Sequence, residues 1–167
     1  MSSLISLSDI AIRHQLQPGD IGTVIALHGR LYYDQFGFGL GFEHYVAETF
    51  AAFVGQFKPG RDRIWMAEHQ GDPAGFISLV HRSEQQAQLR YFIIAPKYRG
   101  LGLGSLLFRT CMDSARQYGY ESVYLWTTSL LVQAGAMYRK EGFELVEEQC
   151  SSSFGVPMVE QKYELKL

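Results

Sequence analysis

The sequence predicts a mixed α/β (α+β) fold, with a mostly antiparallel central sheet of six to seven strands flanked by about four helices. Three observations lead there. The stretch from Arg63 to Ala95 carries short apolar runs of period two separated by turn residues, the mark of an antiparallel meander. Two apolar stripes of helical spacing precede it, and the chain after Gly104 alternates helical and strand patterns.

In chain order, Ile10 and Ile12 alternate with more polar neighbours as a short opening strand. Pro18-Gly19-Asp20 signals a helix start, and Ile21, Val24, Ile25, His28, Leu31 and Tyr32 then recur at helical spacing. A second helix is predicted from Phe42 to Phe57, ended by Lys58-Pro59-Gly60. Ile64 to Ala67 and Gly75 to Val80 flank a turn at Gln70 to Pro73 and read as a hairpin, and Ala87 to Ala95 adds a third strand stopped by Pro96. A helix over about 104–118 follows, with Leu103, Leu107 and Cys111 on one side and Gly119 as its stop. Ser122 to Thr127 reads as a buried strand and Leu130 to Glu141 as a helix closed by Gly142. Phe143 to Gln149 and Val159 to Leu167 read as paired strands.

At 167 residues, with no repeat, linker or low-complexity stretch, the chain 1–167 is expected to form one domain. A formal charge of −2 and the lack of a Lys/Arg stripe argue against nucleic acid as a partner. Cys111 and Cys150 have no metal-ligand spacing with the five histidines, so no metal is expected. The start Met1-Ser2-Ser3-Leu4 lacks a secretory pattern and no window is apolar enough to span a membrane, so the expectation is a soluble cytoplasmic protein. The sequence specifies no oligomeric state and is compatible with a homodimer.

The chemistry concentrates at Lys97-Tyr98-Arg99-Gly100-Leu101-Gly102-Leu103-Gly104-Ser105, between a strand and a helix. The first N–H groups of a helix lack intrahelical partners and carry the positive end of its dipole, so they form an anion site. Glycines at alternate positions let the backbone curl around a ligand with no Cβ in the way. The dinucleotide pattern G-x-G-x-x-G fails, because its third position falls on Ser105 or Leu107. A P-loop fails because Gly104 is not followed by lysine.

What the segment carries is Arg-x-x-Gly-x-Gly at Arg99, Gly102 and Gly104, and it resembles the pyrophosphate-binding motif of the GNAT superfamily of N-acetyltransferases. Ala134 to Phe143 resembles that family's A-x-x-x-Y-x-x-x-G-F segment. The stretch from Gly19 to Tyr32, with Ser153-Phe154-Gly155, is similar to the acetyltransferase half of MarR-acetyltransferase fusion proteins, and no winged-helix half is expected with it. The resemblance implies a GNAT-like sheet and an N-acetyltransferase that moves an acetyl group from acetyl-CoA, its cosubstrate, to a primary amine by direct attack in a ternary complex. The acceptor would be a small molecule or peptide. It further implies that Arg99, Gly100, Leu101, Gly102, Leu103, Gly104 and Ser105 hold the pyrophosphate, and that the backbone of Phe92, Ile93 and Ile94 holds the pantetheine arm in a gap beside the strand Val123 to Thr127.

By the same resemblance Tyr138 stands at the general-acid position, protonating the departing thiolate. Many relatives carry a glutamate before the glycine loop, yet Gln85 to Ala95 contains no acid; Glu43, Glu68, His28 and His44 are base candidates by residue type. His28, Tyr32, Tyr33 and Glu43 are the expected acceptor contacts, within an aromatic group that includes Phe36, Phe38, Phe42 and Tyr45. Two alternatives stay open at this level: a non-catalytic CoA-binding sensor or interaction module, and another acyl donor such as succinyl-CoA.

Overall fold

The computed structural model describes residues 5–167. The Met1-Ser2-Ser3-Leu4 segment, on which the leaderless reading rests, lies outside the described residues. The elements are β1 (Ala11–Arg13), α1 (Asp20–Phe36), α2 (Leu40–Gly55), β2 (Arg63–His69), β3 (Asp72–His81), β4 (Gln86–Ile94), α3 (Leu103–Gln117), β5 (Ser122–Thr128), α4 (Val132–Lys140), β6 (Glu144–Ser151) and β7 (Met158–Lys166). Seven strands form one sheet in the order β1-β2-β3-β4-β5-β7-β6. Every pairing is antiparallel except β4 with β5.

The sheet has an apolar layer on each face of its first half, which explains why β2 and β3 read as nearly continuous apolar runs. Trp65, Ala67, Ile77, Leu79 and Leu89 meet Leu103, Leu107, Cys111 and Ala115 of α3 and Tyr138 of α4. Ile64, Met66, Phe76, Val80 and Ile93 meet Val24 and Leu31 of α1 and Phe42, Val46, Phe50 and Phe53 of α2. Each such side chain, fully buried, contributes about 1.5–3 kcal/mol.

Element ends depart from the apolar pattern where local hydrogen bonds decide. α2 starts two residues before Phe42 and ends at Gly55, leaving Phe57 36% exposed beyond the helix. α4 begins after Leu131 because a turn comes first: the Leu130 N–H donates to Thr128 Oγ1 at 3.2 Å and the Leu131 N–H to the Thr128 carbonyl at 3.0 Å. Phe143 precedes β6, its N–H donating to the Tyr138 carbonyl at 3.0 Å and its ring buried under α4.

In the second half of the sheet β5 and β7 pack mainly on one face, whereas β6 is exposed along most of its length. Leu125 and Tyr163, a directly opposed pair, turn toward α3 and α4. Trp126 with Lys162, and Thr128 with Glu160, occupy the other face beside α2, where Trp126 stays 39% exposed. That uncovered floor borders the cavity described next.

Candidate active site

The glycine loop is held from below. After β4 a single 3-10 turn, Pro96–Tyr98, buries the Tyr98 ring, whose hydroxyl donates to Asp72 Oδ2 at 2.6 Å. Asp72 also pairs with Lys97 Nζ at 3.1 Å, and these two contacts hold its carboxyl below the usual range. Gly100 and Gly102 have φ of +77° and +85°, a region that costs other L-residues about 1–2 kcal/mol. The Arg99 N–H donates to the Pro96 carbonyl and the Leu106 N–H to the Gly102 carbonyl. None of the N–H groups from Gly100 to Ser105 donates to a carbonyl or side chain among the described residues. With Arg99 they form a rim of free donors and positive charge at the place where the sequence leads one to expect the pyrophosphate. Arg99 is braced by Nε donating to the Ile94 carbonyl at 3.3 Å, and by the Gln35 amide, whose oxygen, turned toward it, accepts at 2.8 and 3.3 Å.

A cleft opens in front of this rim because β4 and β5 stop pairing. Their register holds at Gln86↔Ser122, Ala87↔Val123 and Gln88↔Tyr124, whereas β5 stays with β7 through Thr128↔Glu160. Beyond Gln88 the β5 side of β4 has no strand partner among the described residues, so backbone donors and acceptors there face the cleft. A bulge sharpens the divergence: the β3 register jumps from Phe76↔Ile93 to Ser78↔Arg90, and Tyr91 takes a φ of +56°. That strained turn is clamped by Phe50, whose ring lies 4.9 Å from that of Tyr91, and by Phe53 at 6.1 Å.

The resulting cavity measures about 780 Å³ and is continuous from Arg99, Gly102 and Gly104, past Phe92 to Ile94 and Tyr138, to His28, Tyr32 and Tyr45 on the other side of the sheet. Thr127, on its β5 wall, has a buried hydroxyl with no partner among the described residues, a polar group left for a ligand. Among the described residues no group of three His, Cys, Asp or Glu could hold a metal ion.

Tyr138 lines the cavity while its ring packs near Phe143, Tyr163 and Phe108 at 5.9, 6.1 and 6.2 Å. Its hydroxyl forms no hydrogen bond among the described residues, and burial pushes its pKa up, with Tyr32 and Cys111 adding to the shift. Tyr32 is raised to about 12 by burial, against an opposing pull from Arg99. Cys111 is fully buried and burial raises its thiol as well, so it serves as core and not as nucleophile.

Of the four base candidates, only His28 reaches the cavity. Its Nδ1 lies 2.8 Å from the Val24 carbonyl, which assigns the proton to Nδ1 and leaves Nε2 as an acceptor. Burial depresses its pKa from 6.5 to about 4. Above pH 6.5 the group is neutral folded or unfolded; below it the unfolded chain takes up a proton that the folded chain refuses down to about pH 4. Stability is therefore expected to drop by up to about 3 kcal/mol as pH falls through that window. Urea titrations at several pH values read this directly: His28→Gln should flatten most of the slope, and an unchanged slope contradicts the assignment.

The other candidates lie partly outside the cavity. Tyr33 is 65% exposed and does not line the cavity, because one residue along a helix turns the side chain about 100° from Tyr32. Glu43 lies instead against α1, where a Cβ added at Gly29 would come within 2.8 Å of its Oε2. Glu68 is paired with Arg13 Nε at 3.0 Å on β2, and His44 is exposed outside the cavity. Phe38, Phe42 and Tyr45 do reach it, whereas Phe36 does not. Leu101 serves the loop through its backbone, its side chain packing against the core. Arg90, Trp126, Thr127 and Glu160, which no local pattern singles out, enter the wall from three different strands.

The sequence matches the acetyltransferase (GNAT) family over residues 29–143. It is 31% identical over 93 residues to an uncharacterized N-acetyltransferase of Escherichia coli (strain K12), covering 54% of this chain and 55% of that protein. The chain spans about half or less of the length of the curated relatives it matches. Among solved structures, a GNAT-family acetyltransferase of Staphylococcus aureus Mu50 superposes with a TM-score of 0.75 at 16% identity, over 95% of this chain and 99% of that one. A GNAT-family acetyltransferase of Elizabethkingia anophelis with acetyl-CoA bound superposes with a TM-score of 0.67 at 13% identity, over 95% and 99%. With its matched segment covering the glycine loop, the splayed strands and Tyr138, the chain belongs to the GNAT acetyltransferase family.

Proposed function

We propose that the protein is an N-acetyltransferase that takes its acetyl group from acetyl-CoA and delivers it to an amine. One observation carries this reading: a single cavity joins the free amides of Gly100 to Ser105 to the bulge of β4 and to Tyr138. The residues suit the cosubstrate. The amides and Arg99 match a diphosphate, the unpaired edge of β4 and the orphan Thr127 hydroxyl match the amides of a pantetheine arm, and Gly104 keeps the approach open. The Elizabethkingia relative holds acetyl-CoA on the same fold.

In this reading acetyl-CoA supplies a thioester, which the acceptor amine attacks directly. An N–H of the β4 bulge donates to the thioester oxygen as negative charge grows there. Tyr138, kept protonated by burial, donates to the departing sulfur. The amine must arrive neutral, and β4 carries no carboxylate to see to this. His28 and Glu160 are the cavity's proton acceptors; an imidazole near pKa 4 passes a proton on to water instead of keeping it. We place the protein in a reducing compartment such as the cytoplasm, where its two free thiols would persist.

Incubation with acetyl-CoA and a panel of amines, with free CoA as the readout, is expected to give sustained amine-dependent release. Release that no amine stimulates contradicts the enzyme and favours the sensor.

A further inference from the structure

Arg90, at the acceptor end of the cavity, has no ion-pair partner among the described residues. It lies on β4 immediately before the bulge, on the cavity wall, half-buried. Its NH2 donates to the Tyr45 hydroxyl at 2.8 Å, and its Cζ sits 4.6 Å from the Tyr91 ring centroid and 5.8 Å from that of Tyr45. No carboxylate lies within 4.0 Å of it among the described residues, and its one polar partner is the neutral Tyr45 hydroxyl. A guanidinium fixed between two aromatic faces, partly out of water and offered only a neutral hydroxyl, keeps a fork of N–H donors aimed at whatever enters.

The position of Arg90 bears on the acceptor. Resting on the acetyltransferase reading, the amine must reach the thioester at the bulge, at Tyr91 and Phe92. Arg90 adjoins that point in the chain, so an anion on the acceptor would lie within a few bonds of the reacting nitrogen. The cavity's carboxylate, Glu160, stands on the far wall, two strands away from β4. That is at least about 10 Å at strand spacings near 4.8 Å. It accepts from Gln149 Nε2 at 2.8 Å. The cation is therefore near the chemistry and the anion is remote, the reverse of what a polyamine or a lysine-rich peptide would need.

We propose that the acceptor is an amino carboxylate, a free amino acid or close analogue, whose carboxylate forms a bidentate pair with Arg90 while its amino group faces the β4 bulge. Trp126, exposed on the neighbouring floor, and Tyr45 frame the side chain of the acceptor.

The test uses the full chain at saturating acetyl-CoA with matched sets: an amino acid, its carboxamide and its decarboxylated amine, for phenylalanine, leucine and lysine. In at least one set the free acid is expected to exceed its two partners in kcat/KM by roughly 10- to 100-fold, mostly through KM. In Arg90→Gln the acid-to-carboxamide ratio should fall toward one, and Arg90→Lys should recover part of it. An unchanged KM for acetyl-CoA in both variants checks that the fold and the cosubstrate site persist. Equal or better turnover of the carboxamides and amines in every set overturns the proposal alone, as does a ratio that Arg90→Gln leaves intact. Absence of turnover with every amine overturns the acetyltransferase reading, and this proposal with it.

Discussion

Gly104→Val is expected to weaken acetyl-CoA binding by at least about 100-fold while leaving the protein folded. Gly104 lies inside α3 and, unlike Gly100 and Gly102, does not need a left-handed backbone. Valine is no worse than glycine within a helix, so folding has little to lose. An added Cβ would stand 3.6 Å from Ile94 Cγ1 and 3.9 Å from Phe92 Cζ, ordinary contact distances, so the site accepts the atom sterically. What the branched side chain does is occupy the corridor between the N-terminus of α3 and β4. Keeping a diphosphate from two of the loop amides removes two hydrogen bonds to charged oxygen, each worth about 1.5–3 kcal/mol, and that sum carries the expected loss. Calorimetric titration with acetyl-CoA measures it; an affinity within threefold of the parent would show that the corridor lies elsewhere. Gly102→Val makes an informative contrast, because at a φ of +85° it should lose stability as well as affinity.

Tyr138→Phe is expected to lower kcat by roughly 10- to 100-fold with the acetyl-CoA dissociation constant unchanged. The ring contacts with Phe108, Phe143 and Tyr163 survive the substitution, so packing is conserved and only the hydroxyl is lost. The size follows from the acidity match. A thiol near pKa 8.5 is a poor sink for the proton of a phenol that burial raises above its ordinary value near 10. The hydroxyl therefore helps as a donor to growing charge, at the lower end of what general acids achieve. The same shift predicts that no fall in kcat sets in from pH 8 to 10 through ionisation of Tyr138, since the phenol stays protonated there. Steady-state kinetics of the variant, alongside a binding titration, decides the matter: equal kcat removes Tyr138 from the chemistry.

The parts of this site that periodicity could announce are those built from one continuous stretch. Arg99 to Ser105 and the helix carrying Tyr138 each advertise themselves through local spacing, and the fold places them as expected. The bulge at Tyr91 does not, because a non-glycine residue holds the left-handed conformation and only the clamp of Phe50 and Phe53 makes that tolerable. Arg90, Thr127 and Glu160 line one cavity only because the strand order runs β4-β5-β7, a crossover no local pattern encodes. Tyr32 and Tyr33 are equally aromatic in the sequence; helix phase alone sends one inward and the other to solvent. Glu43 reads as a site residue by its charge, and the close approach of α2 to Gly29 places it against α1.

Cosubstrate binding depends first on the diphosphate grip of the turn that begins α3. A crystal structure grown with CoA tests it most directly. The prediction is phosphate oxygens about 3 Å from the amides between Gly100 and Ser105, with the pantetheine arm running along β4 toward Tyr138. A ligand bound elsewhere, with those amides capped by protein groups, would contradict it.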